Sequence, residues 1–292
     1  MTTVPTAAMS DVRTTTRATA PLGRVLRSEL RFILRRPRTL VALAALAFTP
    51  VIAGISVAIA AGSMSGGRRD DIAGIAMLVA DNGLILPIFV LLLAMPMMLP
   101  LCGAMWSADA LAGEASTGGL RNLLLAPVSR PRLLAVKAFG VAAVSLLAVT
   151  IMAVTAILAG IVLLGGEGML TLSGSTMSVP ASLGRIALLT LLVTIQVWAV
   201  AAIALAISST TDHPLIVLAA TTGGIVLFTV LGGIDTLSWL HPVLLTDGWL
   251  DMADVVRDPL PADGLVENAF RATCYILIGY SLALARLTTR DG

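Results

Sequence analysis

The side chains that could make or break bonds are few, and their spacing excludes most such chemistry. The two histidines, His213 and His241, lie in separate polar segments with an apolar run of membrane-spanning length between them. They cannot form one metal site, and no His/Cys/Asp group has the spacing that zinc requires. Either histidine could serve a serine nucleophile, but the chain has no Gly-x-Ser-x-Gly elbow. The two cysteines, Cys102 and Cys274, sit in apolar runs and read as small hydrophobes, not as a disulfide framework. A phosphate-cradling loop needs Gly-Lys-Ser/Thr. The only lysine, Lys137, follows Val136, so the chain holds no such loop. It is expected to bind no cofactor, metal or nucleic acid. If its work consumes a nucleotide, another polypeptide must hold that nucleotide.

The remaining polar residues are candidates for contact. Most lie in one island, residues 108–137, reading ADALAGEASTGGLRNLLLAPVSRPRLLAVK between two long apolar runs. Glu114 is its notable charge, because a carboxylate beside a membrane must be paired or hydrated. Its candidate partners are Arg121, Arg130 and the arginines near the N-terminus. Arg130, Arg132 and Lys137 could touch a partner protein or act as snorkelling anchors; for Lys137 the anchor reading is preferred. Gln196 is polar within an apolar run. A hydrogen bond between helices is the preferred reading, with a place on a substrate path as the alternative. Asp247, Asp251, Asp254 and Asp258 recur at helical spacing beside an apolar stripe of Trp249, Met252 and Val256. That predicts a short helix at an interface, its acids forming a hydrated face in preference to a cation-attracting one.

The elements that carry these residues follow from composition. The chain is 57% hydrophobic and 12% charged, against about 25% charged in an average soluble domain. Six apolar stretches reach or approach the roughly 20 residues needed to cross a bilayer. They run over 39–61, 84–106, 133–164, 183–207, 215–231 and 267–285. The expected fold is all-α: a polytopic membrane protein of six transmembrane helices. Pro87, Pro96 and Pro100 each predict a kink in the second span. Residues 1–21 have no apolar core and read as a polar tail, not a leader. Residues 22–38 predict an amphipathic helix lying at the interface. Leu22, Val25, Leu26, Leu30 and Ile33 share one side, and Arg24, Arg27, Arg31, Arg35 and Arg38 the other. A weak apolar segment at 72–80, a loop at 165–180, an acidic outer segment at 232–266 and a tail at 287–292 complete the division. The transmembrane domain is thus 39–286, with its polar loop at 108–132.

Six spans place both termini on one side, and positive charge decides which. Eight arginines from Arg13 to Arg38, then Arg121, Arg130, Arg132, Lys137, Arg286 and Arg290, fall on the side of the island. That side is expected to be cytoplasmic.

Within the island, Asp109 to Ala115 is expected to extend the second span beyond the membrane. Gly118 and Gly119 break it. Leu120, Leu123 and Leu124 then share one face, with Arg121 and Asn122 turned away, predicting a short cross-helix that Pro127 ends. Ser129 is the expected N-cap of the third span, with Pro131 in its first turn. Gly113-Glu114, Gly118-Gly119-Leu120-Arg121, Leu124, Pro127-Val128-Ser129-Arg130 and Lys137 together resemble the signature region of ABC-2 type permeases. These are the membrane subunits of ATP-binding-cassette exporters. Members often carry Thr and Glu where this chain has Gly119 and Arg121–Asn122.

The resemblance implies that the island holds a cytoplasmic coupling helix docking on a separate ATPase subunit, which uses the ATP. It implies a coupling surface of Glu114, Leu120, Arg121, Leu123, Leu124, Pro127 and Arg130, with Gln196 a candidate for the substrate path. It also implies a second permease copy or a related permease, contact with membrane lipids, and export of a cargo such as a lipid-like or drug-like compound. An ion-coupled secondary transporter would instead need carboxylates at span centres, which the spans lack. A non-transporting membrane anchor using the same island to hold a soluble partner is the other alternative.

Overall fold

The computed structural model describes residues 22–63, 82–116, 129–166, 168–171 and 173–289. Among these, nine α-helices carry the fold: α1 (Leu22–Leu34), α2 (Pro37–Ser63), α3 (Leu86–Ala94), α4 (Met98–Ala110), α5 (Ala112–Ser116), α6 (Arg130–Leu164), α7 (Val179–Ser208), α8 (Pro214–Gly232) and α9 (Ala262–Thr289). Five helices are long and apolar enough to cross a membrane; α3 with a preceding 3-10 turn, together with α4, passes the same test only when the bent pair is taken as one span, which makes six. The chain is therefore an all-α polytopic membrane protein. The polar tail 1–21, the segment at 72–80, the Gly118-Gly119 break, the cross-helix at 120–127 and Arg290 lie outside the described residues.

Of the three prolines expected to kink the second span, only Pro96 does so. The helix breaks at Met95–Met97, and its halves meet at 56°. Pro96 has no N–H to give the Leu92 carbonyl, which accepts from Met95 N at 3.4 Å instead. Pro87 and Pro100 fall in the first turns of α3 and α4. Backbone N–H groups there have no partner within the helix, so their loss breaks nothing.

The bundle is assembled around α6 and α7. α9 lies along α7, α2 along α6, and α4 against α7. In lipid, helix association rests on close packing and on polar contacts, and this chain uses both. Gly83 and Gly160 bring backbone against backbone, so a Cβ on either would overlap the other's carbonyl. A Cβ on Gly279 would sit 2.6 Å from the Ala202 carbonyl carbon. The Ser107 hydroxyl donates to the Ala201 carbonyl at 2.9 Å, and Ser208 Oγ accepts from Ala112 N at 2.9 Å. α6 has 35 residues, about 52 Å at the helical rise. It therefore outruns a hydrocarbon core of about 30 Å.

The loop at 165–180 contains a two-stranded antiparallel hairpin, β1 (Met169–Leu170) with β2 (Thr176–Met177). Such two-residue strands have no periodicity to detect. The acidic outer segment forms two 3-10 stretches, Asp235–Leu240 and Asp247–Val256. The second is the expected short helix in tighter winding: Trp249, Met252 and Val256 are buried and Asp251 is exposed.

α1 stops at Leu34, four residues before the expected end at Arg38. Arg36 precedes Pro37, and a residue before proline is steered away from helical geometry. The turn takes Arg38 out of the polar stripe of α1 and sets the direction of Arg36. The stripe itself is as expected, with Arg24, Arg27, Arg31 and Arg35 exposed. The apolar face packs on protein at its far end, where Ile33 is buried against Gly140 of α6.

Candidate functional site

At the arginine-rich end of the bundle, five helices and one turn bring six charges together. Asp109, in the last turn of α4, accepts from Arg38 Nη1 at 2.9 Å and pairs with Arg36 Nη1 at 3.4 Å. Arg36 also reaches Glu114 of α5, Nη2 to Oε1 at 3.7 Å. Glu114 Oε1 takes a short bond from Lys137 Nζ of α6, and Lys137 donates to Glu29 Oε1 of α1 at 3.0 Å. Phe32 of α1 lies beneath, its ring centroid 4.4 Å from the Arg36 guanidinium carbon and 5.9 Å from Lys137 Nζ. The order Arg38–Asp109–Arg36–Glu114–Lys137–Glu29 alternates in sign throughout. A cavity of about 740 Å³ opens beside it, walled also by Gly113, Ser116 and Pro214.

Lys137 is only 4% exposed and Glu114 only 8%. Each such charge pays a desolvation cost of several kcal/mol that its partners must offset. Lys137 meets this with two carboxylates and an aromatic face. α5 is set off from α4 at Leu111, whose φ of −121° and ψ of −62° depart from the helix. The Ser208 hydroxyl receives the Ala112 N–H there, so the chain turns without stranding a buried donor. That turn aims Glu114 at Lys137.

Glu114 thus has an arginine of the N-terminal segment among its partners, as expected, together with a lysine the sequence had assigned to anchoring. Lys137 does not snorkel; it is the centre of the cluster. Arg130 Nη1 donates to the Leu287 and Thr288 carbonyls at 2.9 and 3.0 Å, tying the start of α6 to the last turn of α9. Ser129 is the N-cap of α6 by position, but its hydroxyl makes no capping bond. Leu120, Arg121, Leu123, Leu124 and Pro127 lie outside the described residues. They fall between Ser116 and Ser129, so the segment that carries them is anchored by the ion cluster at one end and by Arg130 at the other.

Sequence reading gives Glu29 and Asp109 no partner, and takes Arg36 only as one of several arginines near the N-terminus. The signal for Glu29 was present: at 100° per residue it falls in the middle of the apolar stripe of α1. A carboxylate on a buried face requires a cation, and few lie within reach of a bundle interior. Arg36 left no such signal, because its direction is set by the turn before Pro37.

Gln196 lies toward the opposite end, 1% exposed. Its Nε2 donates to Asn268 Oδ1 at 2.9 Å, and its Oε1 accepts from Trp249 Nε1 at 3.2 Å. Asn268 Nδ2 donates to the Gly248 carbonyl. α7, α9 and the outer 3-10 segment are thereby joined by hydrogen bonds. Nearby, Arg271 pairs with Glu267 at 2.9 Å and Asp247 at 3.7 Å, and Arg257 with Asp254 at 3.0 Å. Most of the acidic row is therefore ion-paired. Among the described residues no group of three or more His, Cys, Asp or Glu side chains could hold a metal.

No curated protein matches the chain. The family described as ABC-2 family transporter protein matches residues 24–245 of the 292, a stretch that takes in α1 from Arg24 on, every member of the ion cluster and the bundle through α8. The chain belongs to the ABC-2 transporter family.

Proposed function

We propose that this chain is the permease subunit of an ATP-binding-cassette exporter, driven by a separate ATPase subunit that docks on residues 117–128. The arginine-rich end is then cytoplasmic, as are both termini. Two copies, or one copy and a related permease, pair with two ATPases. The chain binds no ATP itself. The observation that carries this reading is how the polar loop is held. One end continues from Glu114, locked to Lys137 and Arg36, and the other begins at Arg130, locked to α9. A push delivered at Glu114 or at Arg130, the two ends of that loop, reaches α1, α2, α4, α6 and α9 through these contacts.

Charge alternation makes the transmission stiff, since no member can move without separating opposite charges in a poorly solvated place. The bend at Pro96 supplies a place where the second span can yield. The cargo is proposed to be lipid-like or drug-like, because the spans offer few polar lining groups.

Co-expression with a P-loop ATPase that co-purifies with the chain tests the proposal. Permease-dependent stimulation of ATP hydrolysis is expected to fall at least tenfold in Glu114→Lys and in Leu123→Asp, while α-helical content is retained. Hydrolysis that is indifferent to both substitutions overturns the coupling role.

A further inference from the structure

A second concave surface lies away from the ion cluster. α6 and α9 flank α7, and small side chains leave a groove of about 200 Å³ between them. Val141, Ala201 and Leu205 form its floor, and Trp198 and Tyr280 form half-buried walls. Leu277, 62% exposed, forms the outer rim. The Trp198 N–H is spent on the Ala142 carbonyl at 2.9 Å. An indole has no other polar hydrogen, so this wall is apolar. Sites for compact small molecules run from about 300 to 1,000 Å³ and carry a few placed polar groups. This groove is smaller, lacks such groups and opens sideways from helices of membrane-spanning length. A hydrocarbon chain suits it.

Charge at one end narrows the occupant. Ala138, the groove residue nearest the start of α6, is eight residues beyond Arg130, about 12 Å at the helical rise. The Arg130 guanidinium bridges to the final turn of α9, so it stands over the same α6–α9 seam. The polar headgroup layer is about 5–7 Å thick on each side of the hydrocarbon core. A phosphate level with Arg130 therefore puts the first part of its acyl chain beside Ala138 and Tyr280 and a deeper part beside Trp198, whose partner Ala142 is twelve residues, about 18 Å, beyond Arg130. We propose that the α6–α9 groove is a binding site for an anionic phospholipid, with one acyl chain against Trp198 and Tyr280 and the headgroup phosphate facing Arg130. This inference is independent of the transport reading.

The test uses the full-length protein in bilayers doped with phosphatidylglycerol or phosphatidylcholine carrying brominated acyl chains. Bromine quenches tryptophan fluorescence on contact, and the Trp198 component is the signal removed by Trp198→Phe. Brominated phosphatidylglycerol is expected to quench that component at about fivefold lower mole fraction than brominated phosphatidylcholine, the preference typical of one basic residue near a membrane surface. Arg130→Gln, which keeps a donor for the α9 carbonyls, is expected to abolish the preference while quenching persists. Ala142→Phe fills the groove and is expected to abolish the quenching. Leu158→Phe, adding bulk at an exposed position of the same helix, leaves both unchanged. Equal quenching by the two lipids in the unaltered protein means ordinary solvation by bulk lipid and overturns the site. Quenching by neither means the groove is covered by protein, such as a second copy of the chain, and overturns it as well. If Ala142→Phe does not fold, Arg130→Gln decides alone: a preference that survives it removes the headgroup assignment.

Discussion

At the scale of single residues, Lys137 decides more than any other side chain described. Its ammonium touches both Glu29 and Glu114, and it is nearly without solvent. Removing one partner from a buried ion pair typically costs about 3–5 kcal/mol, because the other charge is left uncompensated. Lys137→Met is therefore expected to destabilise the protein by an amount of that order, read from thermal unfolding in detergent. Adding Glu114→Gln to Lys137→Met removes the stranded carboxylate and is expected to restore part of the loss. If the double variant is less stable than the single one by a full additive increment, the two residues are not coupled. The sequence marked Lys137 as unusual, since it is the only lysine, but did not show its direction. A residue at a span end can snorkel outward or turn inward. The choice rests on Glu29 and Glu114, which are 108 and 23 positions away in the chain.

At the scale of elements, span positions were legible because length and hydropathy suffice to find a helix that crosses a bilayer. Each observed spanning helix overlaps an expected span, with ends shifted by a few residues. The island was only partly legible. Its spacing predicts a helix and a break that fall outside the described residues, and the ion partners of Glu114 come from α6 and from the turn between α1 and α2, at separations no local pattern encodes. The outer 3-10 segment lies between these cases. Its stripe of Trp249, Met252 and Val256 predicted the buried face, and Asp251 keeps the solvent face. Partial burial, and then the neighbouring Asp254 and Asp247, raise the Asp251 carboxyl above its ordinary value of 3.8. An acid whose folded-state pKa is raised favours the fold when protonated and disfavours it when charged. Asp251→Asn is therefore expected to raise the unfolding temperature slightly at pH 7. The difference shrinks as pH falls through the folded value and vanishes below 3.8. Unfolding scans of both proteins across that range check the sign; a stabilisation that grows on acidification contradicts it.

At the scale of the whole molecule, the two ends of the bundle are built on different principles. One end holds a line of alternating full charges around Lys137. The other combines a neutral seam through Gln196, Asn268 and Trp249 with separate ion pairs around it, Arg271 with Glu267 and Asp247, Arg257 with Asp254 and Arg185 with Asp258. A stiff charged end suits a surface that receives force, and a neutral seam can part at lower electrostatic cost. This polarity has a definite consequence for orientation, which helix packing alone does not set. The bias of arginines toward the end bearing α1, Arg130 and Arg286 is the ground on which that end is proposed to be cytoplasmic. Single cysteines introduced into a Cys102→Ala/Cys274→Ala background test it. Ser116 and Asp263 are both exposed and lie at opposite ends. Asp263→Cys is expected to react in intact cells with a membrane-impermeant maleimide. Ser116→Cys is expected to react only after permeabilisation. The reverse pattern would put the polar loop outside the cell, away from any cytoplasmic ATPase, and would end the proposed route of energy into the chain.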